Sequence, residues 1–297
     1  MLVSTRNHFS LRTSELNLSH GLQGYDSYNV PGLDGKPCSD TNEIAVYIHG
    51  AWTGQTAAKE QTDRTMLSLD SNEYKVPVIG FSWDSNTATN PSGWSLAKSI
   101  ANQNGAKLAK FLADFKINCP DHNIRIIAHS LGAKIVESAL LNLNNNYQIR
   151  KKDSSDNIIT SVHFLGAAIS DRATSKNTQF GIAIDNSVNR FYNLYNPKDN
   201  LLTGAYLKTE NENPLGLFGL KEGEPSPENY TEQNVTLEIP PYRKASGVYK
   251  PFADDAVHEW GNNHFGYIGF RDTDGKLKDD GAVNVIVANW RADNRHE

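Results

Sequence analysis

The sequence has little of what marks membrane proteins, nucleic-acid-binding proteins or cysteine-stabilised proteins. No stretch of its 297 residues approaches the ~18 unbroken apolar residues of a membrane span. Lysine and arginine total 29 against 34 acidic residues, and the net charge of −5 argues against binding nucleic acid through broad electrostatics. The two cysteines, Cys38 and Cys119, are too few for a disulfide framework or a cysteine-built metal site, and the sequence leaves open whether they pair.

Targeting signals and cofactor motifs are also missing. The first nine residues lack the basic segment and apolar run of a signal peptide, which leaves a cytoplasmic chain or a secreted one whose signal has been removed. The sequence has no P-loop, no G-x-G-x-x-G after a strand, and no cluster of histidines, cysteines or carboxylates with zinc spacing. We therefore predict neither a cofactor nor a metal ion.

What is present is an alternation of short apolar runs with longer helical patterns. The strand-like runs are Glu43–His49, Val76–Trp83, Ile124–Ala128, Val162–Ile169 and Arg190–Tyr195. The helical patterns are Thr56–Leu69, Trp94–Phe115 and Leu131–Leu143. This alternation predicts an α/β fold with a mostly parallel central sheet and helices on both faces. In such sheets ligands bind beyond the carboxyl ends of the strands, so functional residues should follow the apolar runs directly.

The alternation stops between residues 204 and 250. This stretch is acidic, contains several prolines, and includes the apolar patch Leu215–Leu220. Long loops in compact domains are usually functional or disordered. We therefore keep two interpretations, a surface excursion and a candidate lid over the site.

The clearest chemical signal is the pentapeptide Ala128-His129-Ser130-Leu131-Gly132, which joins a predicted strand to a predicted helix. A serine on such a hairpin adopts a strained backbone that exposes its Oγ, and small residues must stand two before and two after it. The N–H of Leu131, at the helix N-terminus, can donate to an oxyanion. On these residues the chain resembles the α/β-hydrolase superfamily, whose usual pattern is G-x-S-x-G; here Ala128 replaces the first glycine.

The resemblance implies the remaining parts of a catalytic site. In this superfamily the loop after an early strand supplies a second oxyanion donor, which gives the N–H of Ala51 in His49-Gly50-Ala51-Trp52. His49 itself is interpreted as structural. Asp84 precedes the serine and is interpreted as a polar cap at a strand end.

The acid and the base should follow the serine in the chain. We favour Asp199, just past Arg190–Tyr195, as the acid, with Asp171 as the alternative. We favour His264 as the base, with His258 as the alternative. His296 stands next to the chain end, where fraying is common, and is set aside.

The chain looks most similar to a little-characterised archaeal and bacterial branch of the superfamily, over roughly residues 40–270. The shared stretches are V-x-x-H-G at Val46–Gly50, F-S-W-D-S at Phe81–Ser85, H-S-L-G at His129–Gly132 and N-H-x-G-Y at Asn263–Tyr267. The resemblance implies a single α/β-hydrolase domain over residues 1–297.

The implied activity is that of a cofactor-independent serine hydrolase, esterase- or lipase-like, that cleaves carboxylic esters through an acyl-enzyme. The substrate would be a small-molecule, lipid or polymer ester, and no nucleic-acid partner is expected. The alternatives are a lactonase or polyester hydrolase with the same triad, or a non-catalytic binding protein of the same fold. The sequence does not specify the natural substrate or the oligomeric state.

Overall fold

A computed structural model describes residues 1–146, 158–239, 263–271 and 274–294. Its eight-stranded sheet has the order β2-β1-β4-β3-β5-β6-β7-β8. The strands are β1 (Leu2–Ser4), β2 (Asp26–Tyr28), β3 (Glu43–Ile48), β4 (Val78–Ser82), β5 (Asn123–His129), β6 (Ile159–Leu165), β7 (Val188–Tyr195) and β8 (Tyr230–Asn234). Every neighbouring pair is parallel except β1 with β2. A separate antiparallel pair joins β9 (Phe270–Arg271) and β10 (Leu277–Asp279).

Helices cover both faces of this sheet. They are α1 (Gln55–Ser71), α2 (Pro91–Asn118), α3 (Gly132–Asn146), α4 (Gln179–Ser187), α5 (Leu207–Glu210), α6 (Leu215–Phe218) and α7 (Val283–Asp293). Three short single turns, Leu18–His20, Leu202–Tyr206 and His264–Ile268, complete the described elements.

The two faces can be read from the alternation along β3. Ile44, Val46 and Ile48 pack in one apolar cluster with residues of α2, α3 and α4. Ala45 and Tyr47 point the other way, into a second cluster built with α7. Side chains that alternate between two buried faces require apolar residues at nearly every position of the strand. The predicted α/β class, with a mostly parallel sheet covered on both faces, is thereby confirmed.

The five predicted strands and three predicted helices are all present, with ends that shift by a few residues. The run predicted from Val76 begins its strand at Val78, directly after Pro77, whose carbonyl accepts the N–H of Ala45 at 2.9 Å. Proline has no N–H to donate to the ladder, so it belongs at the start of a strand.

The N-terminal segment is fastened to the rest of the fold by a disulfide. Cys38 and Cys119 are bonded, with their Cα atoms 5.9 Å apart. Cys119 caps the end of α2 and is buried, so the bridge ties the chain before β3 to the longest helix. The open question about the two cysteines is answered in favour of pairing.

Candidate active site

Ser130 occupies the sharp turn between β5 and α3. Its φ is +54°, a left-handed conformation that non-glycine residues seldom adopt. Backbone hydrogen bonds hold it there: its N–H donates to Leu165 O at 2.9 Å, and its carbonyl accepts from Ala168 N at 3.1 Å. Strained conformations persist only where the surroundings over-determine them, and they gather at functional sites. This is the turn that the pentapeptide predicts.

Two glycines allow the backbone to crowd around this turn. A Cβ on Gly132 would lie 2.6 Å from the carbonyl oxygen of Ile48, so any side chain there would displace β3. A Cβ on Gly50 would lie 2.7 Å from Ser130 Cβ and 3.2 Å from its Oγ. The loop after β3 therefore contacts the serine directly, which is where an oxyanion donor has to be.

The two predicted oxyanion donors are both unused. Within the described part of the chain, neither Leu131 N nor Ala51 N donates a hydrogen bond. A free N–H is ordinary at the start of a helix, so the observation carries more weight for Ala51. The next residue, Trp52, donates its N–H to Ser85 O at 2.8 Å and has a φ of +54°. The loop is therefore held in place at Trp52, and the N–H of Ala51 is left for another acceptor.

Asp199 and His264 form a buried pair. Asp199 Oδ2 lies 2.6 Å from His264 Nδ1, and both side chains are almost fully excluded from solvent. The other carboxylate oxygen accepts the backbone N–H groups of Leu201 at 3.1 Å and Leu202 at 3.0 Å. The hydroxyl of Tyr267 reaches Oδ2 at 3.3 Å. With these four donors the carboxylate has one orientation, and it fixes the tautomer of the imidazole.

The backbone on either side of His264 is also held. The side-chain amide of Asn263 donates to Lys198 O, and its oxygen accepts the N–H of Asn200 at 2.9 Å. These two hydrogen bonds join the turn that bears His264 to the loop that bears Asp199. His129 Nε2 lies 2.7 Å from the carbonyl of His264 and donates to it. Burial holds the pKa of His129 well below its usual 6.5.

The second ring nitrogen of His264, Nε2, faces away from Asp199. It is buried and, among the residues that the structure describes, has no hydrogen-bond partner. Buried polar atoms are nearly always paired, so an unpaired one requires an explanation. One explanation is that Nε2 accepts a proton from a donor on the substrate side of the site.

The alternative acid is placed elsewhere. Asp171 is paired through its backbone, with its N–H on Asn213 O at 2.8 Å and its carbonyl accepting Lys221 N at 2.8 Å. The structure brings Asp199, and not Asp171, to His264. The alternative base His258 and the terminal His296 lie outside the described residues.

His49 and Asp84 have structural contacts, as interpreted. His49 Nδ1 donates to Gly50 O at 2.9 Å, and its Nε2 accepts the N–H of Trp83 at 3.1 Å. Burial lowers the pKa of His49 well below its usual value. Asp84 accepts the backbone N–H groups of Asn7 and Phe9, each at 3.0 Å, and so anchors the N-terminal segment to the end of β4.

Up to residue 239, the stretch predicted as an excursion or a lid contains regular structure that is joined to the sheet and to α2. It contributes α5, α6 and the edge strand β8. Glu210 accepts from the Trp94 indole and from Lys98 Nζ at 2.5 Å, which holds α5 against the first turns of α2. Residues 240–250 lie outside the described residues, and the lid stays a prediction.

Sequence reasoning missed the supporting roles of Asn263, Tyr267 and His129. The first two flank the histidine in the N-H-x-G-Y stretch, and His129 precedes the serine. The signal that could have found them is therefore the motifs themselves, at positions whose side chains reach another loop.

The fold, the strained serine turn and the buried aspartate–histidine pair are those of the α/β-hydrolase class. A family model described as "Alpha/beta hydrolase of unknown function (DUF900)" matches residues 36–227, and the chain belongs to this family. No curated protein matches it. In the described residues no helix is long and apolar enough to cross a membrane.

Several solved structures are similar in part. An acetylxylan esterase shows 20% identity and a TM-score of 0.30, over 44% of this chain and 65% of that one. A cutinase from Trichoderma reesei shows 18% identity and a TM-score of 0.28, over 42% and 52%. The lin2722 gene product of Listeria innocua shows 15% identity and a TM-score of 0.35, over 64% and 83%. The chain thus spans less than two thirds of the first two, and these scores carry no argument about substrate.

Proposed function

We propose that this protein is a serine hydrolase that cleaves carboxylic esters through an acyl-enzyme, with Ser130, Asp199 and His264 as its triad. The observation that carries the proposal is the 2.6 Å contact between Asp199 and His264, two buried side chains that follow the serine in the order of this superfamily. A buried carboxylate on Nδ1 leaves Nε2 as the basic nitrogen, and that nitrogen is the unpaired one.

In the proposed reaction, Ser130 Oγ attacks the ester carbonyl carbon while His264 Nε2 takes the hydroxyl proton. The tetrahedral intermediate bears its negative charge on the former carbonyl oxygen, which accepts the N–H groups of Leu131 and Ala51. The C–O bond then breaks, and His264 returns the proton to the leaving alcohol. Water, deprotonated by the same nitrogen, hydrolyses the acyl-serine and regenerates the hydroxyl. The loss of one oxyanion donor typically costs ~10²–10³ in turnover.

The surroundings favour an apolar acyl group. Trp52, two residues beyond Gly50, packs against Trp94 with ring centroids 5.5 Å apart, and Tyr206 packs against Trp94 at 6.0 Å. All three rings are buried, and Trp52 belongs to the loop that would bind the oxyanion. This cluster supports an ester with an apolar acyl chain, whereas lactones and polyesters remain alternatives for the same triad.

The test combines turnover with covalent labelling. Wild type should hydrolyse at least one member of a chain-length series of p-nitrophenyl esters, and Ser130→Ala should lose at least about 10³-fold in kcat/KM. A fluorophosphonate probe should label wild type once, at Ser130 by peptide mapping, and leave Ser130→Ala unlabelled. Labelling needs no guess about the natural substrate, so it separates an unsuitable ester from the lack of a nucleophile.

Two results would overturn the proposal. One is full turnover by Ser130→Ala, and the other is a folded wild type that the probe does not label at Ser130. The second result would favour a non-catalytic binding protein of this fold.

A further inference from the structure

Three possible metal ligands meet outside the proposed active site. His8, His20 and Asp26 each present one ligand atom, and these atoms all lie within 4.8 Å of one another. The two imidazole rings stack with centroids 3.9 Å apart. Spacing along the chain gave no sign of this group, because a loop, a helical turn and a strand carry one residue each.

The distance between His8 and Asp26 suits two ligands of one ion better than a hydrogen bond. His8 Nε2 lies 3.4 Å from Asp26 Oδ2, which is long for a hydrogen bond. Two ligands on a tetrahedral zinc ion with bonds of about 2.1 Å stand about 3.4 Å apart. His8 Nδ1 is buried and, in the described part of the chain, has no partner, so no contact there opposes a change of tautomer.

Hydrogen bonds hold the backbone near each of the three ligand residues. Asp84 fixes the residues before and after His8 through their N–H groups. Lys107 Nζ donates to Gly21 O and to Gly24 O, each at 2.8 Å, and so fixes the loop between His20 and Asp26. Asp26 itself pairs with Ser4 in the β1–β2 ladder. When the supporting backbone is held in place, binding an ion requires little reorganisation of the ligands.

We propose that His8, His20 and Asp26 form a zinc site that ties together three parts of the N-terminal segment: the loop after β1, the turn Leu18–His20 and the strand β2. Two imidazoles and one carboxylate are ligands that zinc prefers, and a water molecule would complete four-coordination. Asp26 is half-exposed, which gives the ion an entry path. The Lys107 ammonium lies close by and opposes a cation, but it is engaged by two carbonyls. The inference does not depend on the proposed hydrolase activity.

The test is calorimetric titration of ZnCl2 into the metal-free full chain, prepared without an affinity tag. Wild type should bind one zinc ion and show a higher midpoint of thermal unfolding with zinc than without it. His20→Ala and Asp26→Asn change partly exposed side chains and should weaken zinc binding at least tenfold. His122→Ala is the matched control, because this histidine belongs to another cluster, with the disulfide-bonded Cys38 and Cys119, and it should bind as wild type does.

Circular dichroism first establishes that each variant is folded. Wild type without a zinc isotherm, or folded His20→Ala and Asp26→Asn that bind zinc as tightly as wild type, would overturn the proposal. A loss of binding in His122→Ala alone would do the same, because it would place the ion elsewhere.

Discussion

Removing the Cys38–Cys119 disulfide should destabilise the protein by several kcal/mol. The bridge closes a loop with a sequence separation of 81. The chain-entropy relation for such a loop gives about 4.5 kcal/mol at 25 °C, since the reduced unfolded chain regains the freedom that the bridge had removed. For a chain of this size, ~1 kcal/mol corresponds to ~2 °C, so the midpoint of thermal unfolding should fall by roughly 10 °C.

The assay is urea unfolding followed by tryptophan fluorescence and by circular dichroism, on three samples. Oxidised wild type is compared with reduced wild type, which keeps the sulfur volume, and with a Cys38→Ala/Cys119→Ala double variant, which also loses the buried sulfur of Cys119. Both should unfold at lower urea, and the double variant should be the weaker by about 1 kcal/mol because of its cavity. If oxidised and reduced wild type agree within 1 kcal/mol, the loop-entropy argument is wrong for this chain.

Three further predictions concern the proposed site. Asp199→Asn should lower kcat/KM for an ester by up to about 10⁴-fold, whereas Asp171→Asn should stay near wild type; equal losses in steady-state assays would contradict the assignment of the acid. Gly50→Ala should lose activity because its Cβ would press on Ser130, while Gly204→Ala, where a Cβ has open space, should not. Tyr267→Phe removes one donor to the carboxylate and should cost roughly fivefold in kcat/KM, about 1 kcal/mol; a loss above 10³-fold would show a more direct role.

The central elements could be predicted because their signals are local. The run Glu43–Ile48 is apolar at almost every position, as a strand buried on both faces must be, and α2 carries an apolar stripe over many turns. The strands toward the two ends of the sheet, β2 and β1 on one side and β8 on the other, carry no such signal. β1 and β2 have three residues each, and β8 reads Tyr-Thr-Glu-Gln-Asn, a polar sequence whose pairing comes from its neighbour β7.

The candidate site also has some features that the local sequence predicts and others that it does not. The serine turn is encoded within five consecutive residues, so its strained backbone could be expected. The sequence favours Asp199 over Asp171 because it follows the later strand, but it leaves both open, since the choice depends on which loop lies beside His264. The hydrogen bond from His129 to the carbonyl of His264 spans 135 residues, so neither stretch by itself shows that the two residues are partners.

The order of strands in the sheet has a consequence for how the molecule assembles. β1 precedes the other described strands in the chain, yet its partner β4 begins at Val78, and Arg6 binds the carbonyl of Thr53, in the loop beside Gly50. Contacts between distant parts of a chain form late, because the loops between them must close first. Ser130 is synthesised before His264, so for part of its synthesis the chain carries the serine without the imidazole proposed to activate it. The proposed nucleophile would therefore stay inactive until His264 has been synthesised and lies beside Asp199.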